Sequence, residues 1–372
     1  MEALGERIDC LLAGSPYCTP PGERSRALLE LLRDELDYAC EQNAMLHNYV
    51  RQWPLDFRRV KNIADLPYLP VAVLKAQPPL SLVDPGEIKR TLTSSSTTGQ
   101  LPSRIALDAP TARRMTKGVV AIAQDFIGSG RRPYLVVDLP ASVRAGPELG
   151  ARGAAIQGLQ PFATEVTYCL NQGENGEFAL DVEGVLKFAK TWRDSPVLVY
   201  GFTYIIWKYL VAPLLADGIM LHMPDIHIFH SGGWKRLQDE AVEKPKFNEA
   251  LAQVFGCSQD RVIDFYGMVE SVGIIYPDCS AGNKHVPRFG EIIVRNPLTL
   301  EPVAAGEQGI VQVCSALPTS FPGYLLLTED MAELVGNDGC PCGRRGTCFR
   351  FAGRVPKAEL RGCGNIESRR HQ

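Results

Sequence analysis

The chain has no Lys/Arg-rich block and no basic stripe; 39 basic against 42 acidic residues leave a net charge of −3. That balance argues against a surface built to neutralise a nucleic-acid backbone. Four motifs are also absent: G-x-x-x-x-G-K-[S/T], G-x-S-x-G, H-E-x-x-H and G-x-G-x-x-G. Their absence disfavours P-loop enzymes, α/β-hydrolases, zincins and Rossmann dehydrogenases. The opening MEALGERIDC is acidic and short of apolar residues, unlike a secretory leader. The one long apolar run, VLVYGFTYIIWKYLVAPLL (197–215), carries Lys208 near its middle and Pro213 near its end. A central lysine costs a spanning helix about 2.5–3.5 kcal/mol, so no membrane span is expected. The run reads instead as a buried strand feeding an amphipathic helix. The 11 cysteines are odd in number. With no secretion signal, they suggest free or metal-bound thiols in a reducing, cytoplasmic setting and not a disulfide frame.

At 372 residues, 45 % hydrophobic and 22 % charged, the composition is that of a soluble globular protein with a large core and two lobes. Residues 25–50 carry apolar residues at helical spacing. Farther on, the short apolar runs PYLVVDLP, PVLVYGF, DIHIFHSGG and DRVIDFYGM alternate with helical stretches. That alternation predicts an α/β fold with mostly parallel sheets flanked by helices. From residue 290 the texture changes. EIIVRNP, GIVQVCSA and YLLLTEDMAEL read as strands joined by turns. The expected division is a helical N-terminal segment plus α/β core over 1–289, a smaller β-rich subdomain over 290–353, and a short tail over 354–372.

Several places carry chemistry. In TLTSSSTTGQLPSRIALD (91–108), seven of the eight residues from Thr91 to Thr98 are hydroxylated. Ser94, Ser95, Ser96, Thr97, Thr98 and Gly99 can offer hydroxyl and backbone donors to a phosphate chain, although turn chemistry alone also accounts for such a loop. In HSGGWKR (230–236), Gly232 and Gly233 stand where a strand ends, followed by Trp234. Ligands of open α/β sheets bind at such ends; a tight strand-to-helix turn is the plain alternative. In DFYGMVES (264–271), Tyr266 and Gly267 precede Glu270, a carboxylate able to hold Mg²⁺ beside phosphates. Asp330 could grip ribose hydroxyls, and Arg354 could reach a phosphate. His230 reads as a packed histidine or a substrate contact. Cys279, His285, Cys340 and Cys342, with Cys348 as a substitute, make the donor set of a closed structural Zn²⁺ site. Its two halves lie some sixty residues apart, so the fold must bring them together.

The order of these segments resembles the adenylate-forming (acyl-activating) superfamily. SSSTTGQLPS is similar to its SSGTTGxPK loop, SGGW to its adenine-contacting segment, and YGMVE to its YGMTE motif. SSSTTG, GFTYII, SGGWK, FYGMVES and GRVPKAELRGCGN are most similar to the LuxE-like acyl-protein synthetases, from about residue 40 onwards. The resemblance implies an N-terminal-type adenylation core. It also implies ATP and Mg²⁺ as cofactors and a carboxylic acid, a fatty acid foremost, as substrate. On that reading Ser94 to Gly99 cradle the phosphates, and Gly232, Gly233 and Trp234 line the adenine site. Tyr266 stacks on or borders adenine, Glu270 binds Mg²⁺, and Asp330 and Arg354 hold the ribose. Cys363, between two glycines and near Arg361, looks like the tail cysteine that carries the acyl group in this branch. An acyl-CoA-reductase-like or acyltransferase protein would collect it.

Two departures stand out. The superfamily loop usually has glycine where Ser96 stands and a lysine close after its last glycine, where this chain has Gln100 and Leu101; Lys235 and Arg104 are the candidate replacements. Only 18 residues follow Arg354, where longer relatives carry a mobile domain of about a hundred residues with a catalytic lysine. That domain is expected to be missing or vestigial, as in the LuxE-like branch. Two rival functions remain open from sequence: an AMP-forming ligase passing an aryl or amino acid to coenzyme A, a carrier protein or an amine, and a degenerate nucleotide-binding scaffold.

Overall fold

The computed structural model describes residues 2–94, 101–143, 148–173, 177–234 and 240–355. The chain begins with helices α1 (Glu2–Leu12), α2 (Pro21–Gln42) and α3 (Ala44–Arg51). The helical spacing over 25–50 is thus split at Asn43. Its extended backbone ends α2, and its side chain accepts the Met45 and Leu46 N–H groups at 3.0 and 3.1 Å. An asparagine that caps the next helix stabilises the break more than it would the continuation.

Short strands β1 (Leu69–Pro70), β2 (Arg90–Thr93) and β3 (Arg104–Leu107) follow, then helix α4 (Ala109–Ile127), capped by Asp108. β2 and β3 pair antiparallel on either side of the hydroxyl-rich stretch. Next come β4 (Arg132–Val137), β5 (Glu148–Gly150), α5 (Ala151–Leu159), β6 (Ala163–Tyr168), β7 (Leu170–Gln172), β8 (Phe178–Leu180), α6 (Val182–Trp192) and β9 (Val197–Phe202). From β9 the chain enters α7 (Thr203–Ile206), a π-helical segment (Trp207–Val211) and α8 (Ala212–Ala216). Pro213 does not end this helix. The wider π turn lies directly ahead of it, where a regular α-helix would set its ring against the carbonyl four residues back. Among the described residues no helix is long and apolar enough to cross a membrane.

Strands β10 (Ile226–Ser231) and β11 (Val262–Tyr266) flank helix α9 (Lys244–Phe255), and β12 (Tyr276–Pro277) completes the central sheet. Its order is β12-β11-β10-β9-β4-β6, all parallel except β12. The four apolar runs read as strands are β4, β9, β10 and β11, with α4, α5, α6 and α9 packed through a shared core. They are buried almost throughout because a parallel sheet is covered on both faces. The chain builds outwards from β4 to β6, then returns to β9 on the other side of β4. The carboxyl ends of β4 and β9 therefore bound a switch point, the usual ligand crevice of such sheets.

The last strands are β13 (Lys284–His285), β14 (Gly290–Arg295), β15 (Gln308–Ser315), β16 (Leu325–Asn337) and β17 (Thr347–Arg354). They form an antiparallel sheet in the order β13-β17-β16-β15-β14, with β1 added parallel to β16. This sheet thus takes in 69–70 and 284–285 from outside 290–353. It shares a core with the N-terminal helices, including Leu28, Leu32, Leu36, Phe289, Phe321 and Phe349.

One residue opposes that core. Glu35 of α2 is 1 % exposed, and neither carboxylate oxygen has a hydrogen-bond partner among the described residues. Burial holds its pKa well above the ordinary 4.5, with Arg114 opposing the shift only in part. The folded state therefore binds a proton that the unfolded chain releases more readily. The site is least costly below pH 4.5 and loses stability as pH rises through its folded pKa. Glu35→Gln is expected to remove this loss, so its melting temperature should gain on that of the native chain as pH rises. A gap that stays constant with pH would show that Glu35 does not titrate in this way.

Candidate functional site

Of the expected nucleotide residues, Gly232, Gly233, Trp234, Tyr266, Gly267 and Glu270 follow or close strands β10 and β11, and Asp330 and Arg354 lie at the outer end of the β16–β17 hairpin. Tyr266 closes β11. Its hydroxyl donates to Asp330 Oδ2 at 2.9 Å. Asp330 Oδ1 lies 3.6 Å from Arg354 Nε. Asp330 and Arg354 face each other in the β16–β17 register. Residues far apart in sequence thus form one polar line. Burial raises the Asp330 pKa, against the opposing pull of the Tyr266 hydroxyl and Arg354. The Tyr266 phenol is pushed up, first by burial and then by Asp330, so it stays a donor. Arg354 is 70 % exposed in its side chain and free to turn towards an anion.

The Tyr266 ring is stacked with Phe351 and Tyr276, at centroid distances of 5.0 and 5.8 Å. Tyr266 is only 8 % exposed, whereas Phe351 is 41 % exposed. Stacking positions against Tyr266 are thus held by protein rings in this conformation. Of the two roles expected of Tyr266, bordering a base fits this arrangement better than stacking on it.

Glu270 lies buried in the turn after β11, where the Ser271 N–H bonds to the Met268 carbonyl at 3.1 Å. The turn ends at Gly273, whose φ of +79° favours glycine. Helix α4 presses against it through Gly118, where an added Cβ would stand 2.4 Å from the Gly273 carbonyl oxygen. Gly118→Ala tests this fit. Alanine favours a helix over glycine by about 1 kcal/mol, but overpacking against backbone costs about 1–3 kcal/mol. The expected result of denaturant unfolding is a net loss of stability; a gain would mean the two segments move apart freely.

Gly232 and Gly233 have φ of +85° and +57°, and a Cβ on Gly232 would meet the Phe202 ring at 3.1 Å. The glycine pair is thus required by the turn, whatever it binds. Gly267 follows Tyr266 directly. Trp234 packs edge-on to Trp207 and Phe247 at 6.2 and 6.1 Å. Of the hydroxyl-rich stretch, Ser94 is described: its N–H bonds to the Ser103 carbonyl at 3.1 Å, and its hydroxyl accepts the Ser103 N–H at 2.8 Å. Ser95, Ser96, Thr97, Thr98, Gly99, Lys235 and Cys363 lie outside the described residues. Arg104 is paired with Glu148, so its charge is already engaged.

His230 is packed against Phe247, 4.8 Å between ring centres. Thr203 Oγ1 lies 3.0 Å from its Nδ1 and donates to the Ser231 carbonyl at 3.1 Å. One hydroxyl proton cannot serve both, so His230 donates from Nδ1; its Nε2 has no hydrogen-bond partner among the described residues. Burial lowers its pKa to about 4, and it stays neutral at pH 7.

Sequence reasoning missed two polar groups. Asp264 accepts from Lys284 at 3.1 Å and has Lys244 at 3.7 Å; Lys284 also reaches Asp278 at 3.0 Å. Burial pushes the Asp264 carboxyl up, but Lys284, His230 and Lys244 together hold it below the usual range. At the end of β4, buried Asp138 accepts from the Leu139 N–H and the Ser142 hydroxyl at 2.7 and 2.5 Å and faces Arg152 at 3.2 Å. The acid in VVDLP directly after an apolar strand was the signal available for the second; the first depends on the β11–β12 pairing and an isolated bridge between Asp278 and Lys284.

A separate cluster joins Cys279, His285, Cys340 and Cys342, with all four ligand atoms within 4.8 Å of one another. Cys279 and Cys340 are 3.8 Å apart at sulfur, and Cys342 Sγ lies 3.2 Å from His285 Nε2. A tetrahedron of Zn–S bonds of about 2.3 Å has sulfur–sulfur edges of about 3.8 Å, so the donor set fits a closed metal site. Each half sits on a tight turn: Gly282 N–H bonds to the Cys279 carbonyl and Gly343 N–H to the Cys340 carbonyl, with φ of +73° and +82° at the two glycines. Asn283 Nδ2 donates to Cys340 Sγ at 3.5 Å. Cys348 is buried on β17 opposite His285 and is not among the four.

Comparison with known proteins accords with this architecture. A 2-hydroxyisobutyryl-CoA ligase in complex with 2-HIB-AMP and CoA superposes with a TM-score of 0.69 at 17 % identity, over 92 % of this chain and 77 % of that one. A long-chain-fatty-acid–luciferin-component ligase of Vibrio harveyi is 23 % identical over 376 residues, covering 98 % of this chain and 93 % of the relative. One from Aliivibrio fischeri is 24 % identical over 316 residues, covering 81 % and 78 %. The profile described as "Acyl-protein synthetase, LuxE" matches residues 2–371. The fold is that of the AMP-forming ligases, and the chain belongs to the LuxE acyl-protein synthetase family.

Proposed function

We propose that this enzyme activates a long-chain fatty acid with ATP, takes the acyl group onto Cys363 as a thioester and hands it to a partner protein. The observation that carries the nucleotide reading is the line Tyr266–Asp330–Arg354. It brings an aromatic, a buried carboxylate and an exposed guanidinium from three distant motifs into one line beside the carboxyl end of β11. The substrate class and the protein acceptor are supported by the names of the two luciferin-component ligases and of the family.

In this mechanism Asp330 accepts hydroxyl donors of the ribose, Tyr266 fixes the Asp330 carboxylate, and Arg354 neutralises phosphate charge. Gly232 and Gly233 let the backbone approach the base. Mg²⁺, when bound, would neutralise charge on the phosphates, and Glu270 is the residue to hold it. The substrate carboxylate oxygen attacks the α-phosphorus and pyrophosphate leaves. The Cys363 sulfur, as thiolate, then attacks the acyl carbon and AMP leaves. An acyl-CoA-reductase-like or acyltransferase protein would accept the acyl group. The Cys279, His285, Cys340 and Cys342 set would hold a structural Zn²⁺, with all four positions filled by protein and none left for chemistry.

The test is incubation with Mg-ATP and a panel of fatty, aryl and amino acids, followed by intact mass. The expected result is a gain equal to one long acyl group, lost on hydroxylamine treatment. Pyrophosphate release with an aryl or amino acid and no adduct would replace this reading with a ligase that uses a free acceptor. No release with any acid would leave a nucleotide-binding scaffold.

A further inference from the structure

The four-ligand cluster sits at one end of the hairpin whose other end carries the nucleotide residues. β16 and β17 run together from the pair Asp330–Arg354 to the pair Asn337–Thr347, and Cys340 and Cys342 lie in the turn between them. Their partners, Cys279 and His285, come from the segment that follows Tyr266. The hairpin and this segment are therefore joined at both ends, by the ligand cluster at one and by the Tyr266–Asp330 hydrogen bond at the other, with the short β13–β17 pairing and an Arg350–Asn283 hydrogen bond of 3.0 Å between them.

A stiff connection runs between the two joints. Lys284, the neighbour of His285, is 2 % exposed and bonds to both the carbonyl and the carboxylate of Asp264, at 3.3 and 3.1 Å. Asp264 stands two residues before Tyr266 on β11. The Asp278 N–H also bonds to the Asp264 carbonyl, at 2.8 Å, next to Cys279. Strand pairing adds little here, since β13 has two residues. The turn after Cys342 is anchored as well. Arg344 bonds to Asp125 at 2.6 Å and lies over the Phe126 ring at 3.9 Å, and the Arg345 N–H bonds to the Tyr17 carbonyl at 3.0 Å.

We infer that the Cys279–His285–Cys340–Cys342 centre, when it holds Zn²⁺, sets the spacing between Tyr266 and Asp330 and so positions the nucleotide residues without touching the nucleotide. The inference rests on the zinc assignment and on the nucleotide reading of Tyr266, Asp330 and Arg354. Zinc binding and nucleotide binding are then coupled. Linkage makes the coupling reciprocal: each ligand strengthens the other by the same factor, about 5- to 150-fold for typical couplings.

The experiment uses the full chain. Native mass spectrometry is expected to show one zinc per chain, and cobalt substitution to give the absorption of a tetrahedral thiolate site. Zinc affinity is then measured by competition with a chelator, with and without saturating ATP, and ATP affinity is measured on loaded and stripped protein by equilibrium binding. Both affinities should change by the same factor within that range, with far-ultraviolet circular dichroism unchanged. His285→Cys should keep zinc and ATP affinity, while His285→Ala weakens both. Should the alanine variant fail to fold, the native chain still decides the matter through zinc affinity with and without ATP. Absence of bound zinc, or equal ATP affinity in loaded and stripped protein, overturns the inference. Loaded protein that binds no ATP overturns the nucleotide reading, and the inference with it, whereas zinc stoichiometry stands as a separate result.

Discussion

Cys363→Ser is expected to abolish the hydroxylamine-labile acyl adduct while leaving acid-dependent ATP–pyrophosphate exchange near the native rate. The two half-reactions use different residues, so they should separate. On the proposed mechanism, formation of the adenylate depends on Tyr266, Asp330, Arg354 and Glu270, and transfer depends on a sulfur nucleophile. A serine hydroxyl is a weak nucleophile without an adjacent base, whereas a cysteine near Arg361 is more readily ionised. The variant should therefore stall with acyl-adenylate bound or leaking into solution. An adduct that survives the substitution would move the acyl carrier to another residue. Loss of exchange together with the adduct would mean that Cys363 acts before the adenylate forms.

The second large effect is expected at Glu270. Glu270→Gln keeps the size of the side chain and removes the charge that would hold Mg²⁺. Loss of about 3 kcal/mol of transition-state stabilisation slows exchange roughly a hundredfold. AMP has no pyrophosphate to neutralise, so its binding should change little, and raised Mg²⁺ should recover part of the exchange. Native exchange in the variant would remove Glu270 from the mechanism. Weak AMP binding together with weak exchange would point instead to collapse of the turn against Gly118.

Much of this arrangement could be read from residue order. The four apolar runs became the four parallel strands β4, β9, β10 and β11, because strands buried on both faces leave continuous hydrophobic runs. Gly232 and Gly233 read from sequence as a close ligand approach or a tight turn at a strand end, and their positive φ accords with the turn. The four metal-ligand candidates are also the four that converge, despite their separation in sequence. Other features were hidden. The Lys284–Asp264–Asp278 group depends on two-residue strands too short to leave a periodic pattern. Phe351 over Tyr266 arises from strand pairing across β16 and β17, which no local spacing reports. The addition of β1 to β16 joins residues more than two hundred positions apart.

The N-terminal helices bear on how the protein is made. Arg24 of α2 bonds to Thr347, a separation of 323 residues, and to the Val286 carbonyl and Glu291. The apolar face of α2, with Leu28, Leu32 and Leu36, is covered by the same late-arriving sheet. A ribosome delivers the first element of this core long before the last strand exists. At about 5–20 residues per second, the wait is on the order of tens of seconds. During synthesis this leucine-rich face waits for the sheet that completes its cover.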